Sequence, residues 1–132
     1  MSSWGFHTIL NIAGCNPRSI RCSKHIKLFS KELVKRIDMK SYGKPKIVMF
    51  GTGNKKGYTL IQLIETSNIS AHFCEEDNAI FLDVFSCKPY NKDDVSKVVD
   101  EYFKPKIIYS NYFERSIPEL KWCKDKINKT YI

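Results

Sequence analysis

The sequence predicts an α+β fold, a two-layer sandwich in which a mainly antiparallel sheet carries two helices on one face. Strand-like segments alternate with two segments of helical periodicity, and three of the strands follow one another with only turns between them. Strands joined by short turns pair antiparallel, and helices inserted among them cover one face of the sheet. With 132 residues, 42% of them hydrophobic, the chain can bury one core, which indicates a single domain.

The N-terminal half is predicted to form a strand, a helix and a second strand. Residues 6–13 are apolar and partly β-branched, and they stop at a cluster of turn formers, residues 14–17. A helix is predicted from Ser23, a residue suited to capping, to Met39, because apolar side chains recur there at helical spacing. Residues 46–50 then predict a strand.

The middle of the chain is predicted to be an antiparallel meander. Residues 58–65, 69–73 and 79–86 are rich in β-branched and aromatic side chains, and polar turn formers separate them. Three consecutive strands of this kind pair with their neighbours in sequence.

A second helix and a last strand complete the predicted domain. Asp93 or Asp94 is suited to capping a helix whose apolar residues recur at helical spacing, and the chain becomes extended again over residues 105–113. The domain is therefore predicted to span residues 1–116. Residues 117–132 are a polar C-terminal tail to which we assign no function.

Composition argues against several classes of protein. No apolar stretch approaches the length of a membrane span, and the N-terminus lacks a basic segment followed by an apolar run, so we expect a cytoplasmic protein without a membrane partner. Five cysteines without a C-x-x-C pair indicate free thiols, and three scattered histidines predict no metal site. The net charge of +8 is spread along the chain, so we expect no nucleic-acid partner.

Three segments carry chemically interesting residues, each with a plainer interpretation. The glycine-rich loop at residues 51–57 could hold a phosphate, but its spacing favours an ordinary hairpin loop. Residues 64–76 mix hydroxyls, an amide, a His, a thiol and carboxylates; composition alone favours a solvated face over a converging site. Cys87 ends a hydrophobic strand and is by default a buried, inert thiol, unless a neighbouring strand places it near His72.

Taken together, these segments resemble the prokaryotic S-adenosylmethionine decarboxylase family. Thr59, residues 67–72 (Ser-Asn-Ile-Ser-Ala-His) and residues 82–87 (Leu-Asp-Val-Phe-Ser-Cys) match in order and spacing. The family's pattern includes Glu-Ser-His-Ile-Ser-Ile-His and, later, Val-Asp-Val-Phe-Thr-Cys-Gly. Similarity extends over residues 5–115, which is most of the chain.

The resemblance implies a self-cleaving enzyme whose cofactor is a pyruvoyl group made from Ser67. The Ser67 hydroxyl would attack the carbonyl of Thr66, the chain would break between residues 66 and 67, and the resulting dehydroalanine would hydrolyse to pyruvoyl. That carbonyl would form a Schiff base with S-adenosylmethionine and accept the electrons released with carbon dioxide, giving the aminopropyl donor for spermidine synthesis. No metal is implied.

The same resemblance assigns roles to five further residues. Thr59 and His72 match a hydroxyl residue and a His that assist self-cleavage, and Cys87 matches the acid that reprotonates the product. Glu76 falls where the family binds the substrate ribose hydroxyls, and Phe50 is a candidate for stacking on adenine.

Departures from the family pattern leave alternatives open. The chain has Thr66 where the family has Glu, Asn68 where it has His, and Phe-Cys-Glu-Glu at residues 73–76 where it has Thr-Trp-Pro-Glu. An adenine-stacking ring is thereby lost unless Phe73 or another ring replaces it. The alternatives are a pyruvoyl-dependent decarboxylase of ornithine or arginine, and an unprocessed homologue that acts as a binding or regulatory module. A sheet with one covered face also leads us to expect a homodimer with sites near its interface.

Overall fold

A computed structural model describes residues 3–118 and contains one six-stranded sheet with two helices. The strands and helices are β1 (Gly5–Ala13), α1 (Ser23–Arg36), β2 (Ser41–Phe50), β3 (Gly57–Ile64), β4 (Ser67–Cys74), β5 (Ala79–Ser86), α2 (Lys92–Phe103) and β6 (Ile107–Arg115). The sheet order is β2-β3-β4-β5-β1-β6, and every neighbouring pair is antiparallel. The predicted α+β sandwich and its central meander are therefore confirmed.

The core lies between the helices and one face of the sheet. Alternate residues of the central strands, such as Leu10 on β1 and Leu82 on β5, are almost completely buried. The helices contribute rings that pack on each other: the centroids of Phe29 on α1 and Phe103 on α2 are 4.8 Å apart, in an edge-to-face arrangement. A fully buried Phe of this kind stabilises the fold by about 2 to 3 kcal/mol.

Within residues 3–118, both helices lie on one face of the sheet and the opposite face is uncovered. Thr59, His72 and Phe85 alternate with buried neighbours and point to this open face. Several large apolar side chains on the same face are exposed: Phe50, Ile61, Leu63, Phe81, Tyr109 and Phe113. The open face is therefore partly apolar.

The first helix and the second strand depart from their predicted bounds. The helix α1 ends at Arg36 instead of Met39, because Asp38 adopts a left-handed conformation and the Met39 amide donates to the Val34 carbonyl, which closes the helix end. The strand β2 begins at Ser41, five residues before the predicted start. Its early part contains a bulge around Gly43. Gly43 and Pro45 are typical of a break in a strand, so the sequence predicts a later start.

Two further predicted positions need correction. Neither Asp93 nor Asp94 caps α2; the cap is Asn91, whose side-chain oxygen accepts a hydrogen bond of 2.9 Å from the Asp93 amide. The strand β4 begins at Ser67, two residues before its predicted start, so Ser67 is part of the sheet.

Candidate active site

The bond between Thr66 and Ser67 lies where a tight hairpin turn enters a strand. Ile64 of β3 and Ser67 of β4 are paired, so only Glu65 and Thr66 form the connection. Two-residue hairpin loops usually contain Asn-Gly or a related pair, and the Glu-Thr sequence lacks that signal. This explains why sequence patterning placed the turn slightly late, at residues 66–68.

The carbonyl of Thr66 accepts a backbone hydrogen bond of 3.0 Å from the amide of Cys87. The amide lies just beyond the end of β5, and its N–H polarises the carbonyl that directly precedes Ser67. A fixed amide donor of this kind stabilises negative charge that develops on a carbonyl oxygen during attack by a nucleophile. The local geometry therefore suits an acyl shift at this bond.

A network of three hydrogen bonds links the turn to the end of β5 and to Met39. The Lys88 amide donates to the Ser86 hydroxyl over 3.0 Å, and Ser86 donates to the Thr66 hydroxyl over 2.8 Å. Thr66 in turn donates to the sulfur of Met39, 3.2 Å away. Ser86 is completely buried, so this network fixes the turn against the end of β5. Sequence reasoning missed Ser86, Lys88 and Met39, because only the folded chain brings these residues, distant in sequence, to the turn.

Thr59 and His72 form a hydroxyl–imidazole pair on the open face. They are directly opposed on β3 and β4, and Oγ1 of Thr59 lies 3.0 Å from Nδ1 of His72. Nε2 of His72 lies 3.1 Å from the carbonyl oxygen of Lys55, which can only accept a hydrogen bond. Nε2 therefore carries the proton, and Nδ1 accepts from the threonine hydroxyl.

The predicted residues divide into two groups at opposite ends of the β3–β4 hairpin. His72 follows Ser67 by five strand residues, a separation of about 16 Å at the usual rise of a strand. Cys87 lies beside the turn at the Ser67 end. The default reading of Cys87 as a buried thiol is wrong, since it is exposed, and it does not lie near His72.

Glu76 and Phe50 both lie at the His72 end of the hairpin. Glu76 is exposed in the turn between β4 and β5, and Phe50 is exposed at the end of β2, opposite Gly57. The loop at residues 51–57, predicted as an ordinary hairpin loop, connects β2 to β3 through one short 3₁₀ turn and supplies the Lys55 carbonyl to His72.

An aromatic cluster occupies the open face near the Ser67 end. Phe85, which pairs with Asn68, stacks on Trp4 with ring centroids 6.0 Å apart and contacts the edge of His7. Trp4 is half exposed, whereas Phe73, the ring considered as a substitute for the family's aromatic, is fully buried in the core. Sequence reasoning did not single out Trp4 or Phe85 as site residues.

Burial raises the pKa of one thiol beside the β4–β5 turn, where the Cys15 amide donates to the Asn78 carbonyl. The Cys15 thiol is buried beside the end of β1, and its pKa rises from 9.0 to about 11 through desolvation. It therefore stays protonated and unreactive at neutral pH.

Two further findings concern metals and membranes. Residues 3–118 contain no group of three or more His, Cys, Asp or Glu side chains arranged to hold a metal ion. Within the same range, no helix combines the length and the apolar character that crossing a membrane requires.

Comparison with known proteins connects this fold and site to one class of enzymes. A family model described as S-adenosylmethionine decarboxylase matches residues 6–116. An S-adenosylmethionine decarboxylase proenzyme of Pyrococcus abyssi is 30% identical over 122 residues, which covers 90% of this chain and 84% of the relative. A proenzyme of the same description from Clostridium botulinum strain Langeland is 27% identical over 105 residues, with 80% and 84% covered.

A solved structure supports the fold independently. The adenosylmethionine decarboxylase of Aquifex aeolicus superimposes with a TM-score of 0.77 at 22% identity, over 91% of this chain and 97% of that one. Fold and matches together define the protein as a small α+β decarboxylase. The chain belongs to the S-adenosylmethionine decarboxylase family, which confirms the resemblance recognised from its motifs.

Proposed function

We propose that the protein is a proenzyme that cleaves itself between Thr66 and Ser67 and then decarboxylates S-adenosylmethionine with a pyruvoyl group derived from Ser67. One observation carries the proposal: the amide of Cys87 is hydrogen bonded to the carbonyl that the Ser67 hydroxyl would attack. The family match and the proenzyme relatives support the same activity.

The first step moves the Thr66 acyl group from the Ser67 nitrogen to the Ser67 oxygen. The hydroxyl oxygen forms a bond to the carbonyl carbon, the carbon–nitrogen bond breaks, and the freed nitrogen takes up a proton. Negative charge on the carbonyl oxygen is stabilised by the Cys87 amide. The Ser86 hydroxyl, bonded to Thr66, positions the turn for this step.

The second step needs a base for the α-proton of Ser67, and the third loses ammonia. Removal of that proton expels the Thr66 carboxylate and leaves a dehydroalanine, which water converts to pyruvoyl with release of ammonia. His72 suits the role of base, because its Nδ1 lone pair is available once the Thr59 hydroxyl turns away.

The surroundings of Ser67 fit a pyruvoyl group at the start of β4. After cleavage β4 would remain paired with β3 and β5 along its whole length, so the new group would stay fixed in the sheet. A pyruvoyl carbonyl supplies an electron sink for decarboxylation. Cys87 has an exposed thiol and a backbone amide bonded to the Thr66 carbonyl, so this residue is suited to return a proton to the product.

The site is incomplete within one chain, which leads us to propose a homodimer. Ser67 and His72 lie about 16 Å apart along β4, too far for proton transfer. A second copy packed with its open face on the first and its strands reversed would bring the His72 end of one hairpin to the Ser67 end of the other. The exposed apolar side chains of the open face favour such a contact.

The aromatic cluster favours a nucleoside substrate over ornithine or arginine. Trp4 and Phe85 present ring surface on the open face near Ser67. A purine ring can stack on such a surface, whereas a simple basic amino acid has no ring to place there.

Intact-mass spectrometry tests self-cleavage directly. Freshly purified protein is expected to give two fragments, residues 1–66 and 67–132, with pyruvoyl at the start of the second, whereas Ser67→Ala stays intact. Cleaved protein should then release carbon dioxide from S-adenosylmethionine and not from ornithine or arginine. A single intact mass after long incubation of the natural chain would refute the proenzyme proposal.

Mixed dimers test whether the site is shared between two chains. Ser67→Ala and His72→Ala chains, each uncleaved alone, are co-expressed with different tags. In a shared site, His72 of one chain acts on Ser67 of the other. With equal expression and random pairing, about half of the His72→Ala chains pair with a Ser67→Ala chain, so up to about half of them become cleaved. Isolated heterodimers without cleavage, or a stable monomer in sedimentation at micromolar concentration, would contradict the shared site.

A further inference from the structure

A groove on the helix-bearing side of the molecule borders the turn before Ser67 through Met39 and Glu65 and continues along α1. It runs between α1 and the first half of β2 and has a volume of about 1010 Å³. That is at the upper end of the range of about 300 to 1,000 Å³ for small-molecule pockets. The groove is therefore large enough for a peptide segment as well as for a small molecule.

The rim of the groove is strongly basic. Six lysines line it: Lys24, Lys27, Lys31, Lys35, Lys40 and Lys44. None of their ammonium groups forms an ion pair with a carboxylate in the described part of the chain. Among residues 3–118, the lining has two acidic residues, Asp38, which is paired with Lys88, and Glu65. The groove thus presents a net positive surface to a negatively charged ligand.

The floor of the groove is apolar. Leu28, which is 56% exposed, lies on α1 between the lysines, and Val34 and Met39 continue the apolar surface toward β2. Lysines alone are typical of a solvated helix face. An exposed Leu on a concave floor between two rows of lysines indicates a ligand that has both apolar and negatively charged groups.

Several alternative occupants fit less well. No aromatic side chain of the described residues lines the groove, so single-stranded nucleic acid would find no stacking surface on them. Residues 119–132 contain four lysines against one Glu and one Asp, so this segment would be repelled by the lysine rim. A symmetric contact between the grooves of two copies would bring two lysine rims together and is disfavoured for the same reason. An added strand along the edge of β2 is blocked by Pro45 and the bulge before it.

We propose that this groove binds an acidic amphipathic helical segment of a partner protein, with its apolar side on Leu28 and its carboxylates on the lysine rim. From Lys24 to Lys35 the row of lysines extends about 16 Å along α1. A helix of three turns has the same length, and helices of this type dock in apolar grooves. The binding does not depend on decarboxylation.

Fluorescence anisotropy with a designed probe tests the proposal on the full-length protein. The probe is a labelled peptide of about twelve residues with Leu on one helical face and Glu beside it, which spans about 18 Å. Saturable binding at micromolar concentration is expected. A peptide of the same composition with its Leu residues scattered should bind about tenfold more weakly, because it cannot place them together on the floor.

Matched variants locate the binding. The double variant Lys27→Glu with Lys31→Glu reverses charge in the groove and should weaken binding at least about tenfold. Lys92→Glu with Lys97→Glu makes the same change in charge on exposed positions of α2 and should leave binding within about twofold. Leu28→Ser should weaken binding several-fold with no change in thermal unfolding, since Leu28 is largely exposed.

Three outcomes would overturn the proposal. The first is that binding of the probe does not saturate up to a protein concentration of about 100 μM, which is about 100-fold above the expected dissociation constant. The second is that both double variants weaken binding equally, which would reduce the effect to overall charge. The third is that a uridine oligonucleotide binds as tightly as the probe and Leu28→Ser has no effect, which would make the groove a nucleic-acid surface.

Discussion

The hydrogen bonds of Ser86 allow a quantitative prediction about the turn that precedes Ser67. Ser86→Ala removes a hydroxyl that accepts from the Lys88 amide and donates to Thr66, with distances of 3.0 and 2.8 Å. Each net hydrogen bond contributes about 1 kcal/mol, and Ser86→Ala removes two of them. We therefore expect the free energy of unfolding to fall by about 2 kcal/mol.

A second buried serine provides the matched control. Ser30 is also completely buried, but its hydroxyl has no hydrogen-bond partner within the described residues. Ser30→Ala removes an unsatisfied polar group from a helix and should leave stability unchanged or raise it by about 1 kcal/mol. The two substitutions are chemically identical, so the difference between them reports the hydrogen bonds.

Urea unfolding in the Ser67→Ala background measures both variants without interference from cleavage. The reasoning predicts a lower midpoint for Ser86→Ala and an unchanged or higher one for Ser30→Ala. With Ser67 restored, Ser86→Ala should also slow cleavage, since the turn is no longer held against the end of β5. Equal losses of stability for the two serines would refute the hydrogen-bond network described for the turn.

Further predictions concern the thiols and the imidazole. Cys87→Ala keeps the backbone amide and should still be cleaved. Turnover of S-adenosylmethionine by the cleaved variant should fall about 100-fold or more, because the thiol proton donor is missing. Loss of cleavage in this variant would contradict the role assigned to the amide. Thr59→Val should slow cleavage about tenfold or more, whereas Thr59→Ser should retain it, as measured by intact mass over time; equal rates would remove the hydroxyl from the reaction. The pKa of Cys15 is raised from 9.0 to about 11 in the folded protein, so the stability contributed by the protonated thiol is full below pH 9 and is lost as the pH rises toward 11. Cys15→Ala should therefore flatten the decline of the urea midpoint between pH 9 and pH 11. An unchanged slope would contradict the raised pKa.

Much of the fold follows from sequence patterns, and the exceptions have physical causes. The strand at residues 79–86 was predicted with its observed bounds, because strand-forming residues there are bounded by polar turn residues. The early part of β2 was missed because Gly43 and Pro45 are typical of a break, and only pairing with β3 holds them in the sheet. The apolar periodicity of α1 extends to Met39, but a left-handed residue ends the helix earlier.

The candidate site was less accessible from sequence than the fold. Motif resemblance pointed to Ser67 and Cys87, whose roles stay predictions, but no pattern reveals that the Cys87 amide contacts the Thr66 carbonyl. Such a contact depends on strand register, which pairs Ser67 with Ser86 and so sets Cys87 opposite the turn. The same register places Trp4 near Phe85 through β1, although the two are 81 positions apart in sequence.

The register also decides how the two halves of the proposed site can meet. In an antiparallel hairpin, residues near the turn and residues near the open end lie on the same strands and never approach each other. Ser67 is at the turn of the β3–β4 hairpin, whereas Thr59 and His72 pair near its open end. A rigid sheet cannot fold back to close about 16 Å, so chemistry that needs both groups requires a second hairpin in reversed orientation. A two-fold axis through the open face supplies that hairpin and, by symmetry, completes two sites at once. The division of the residues between the two ends therefore predicts the shared dimer site more strongly than the exposed apolar surface does.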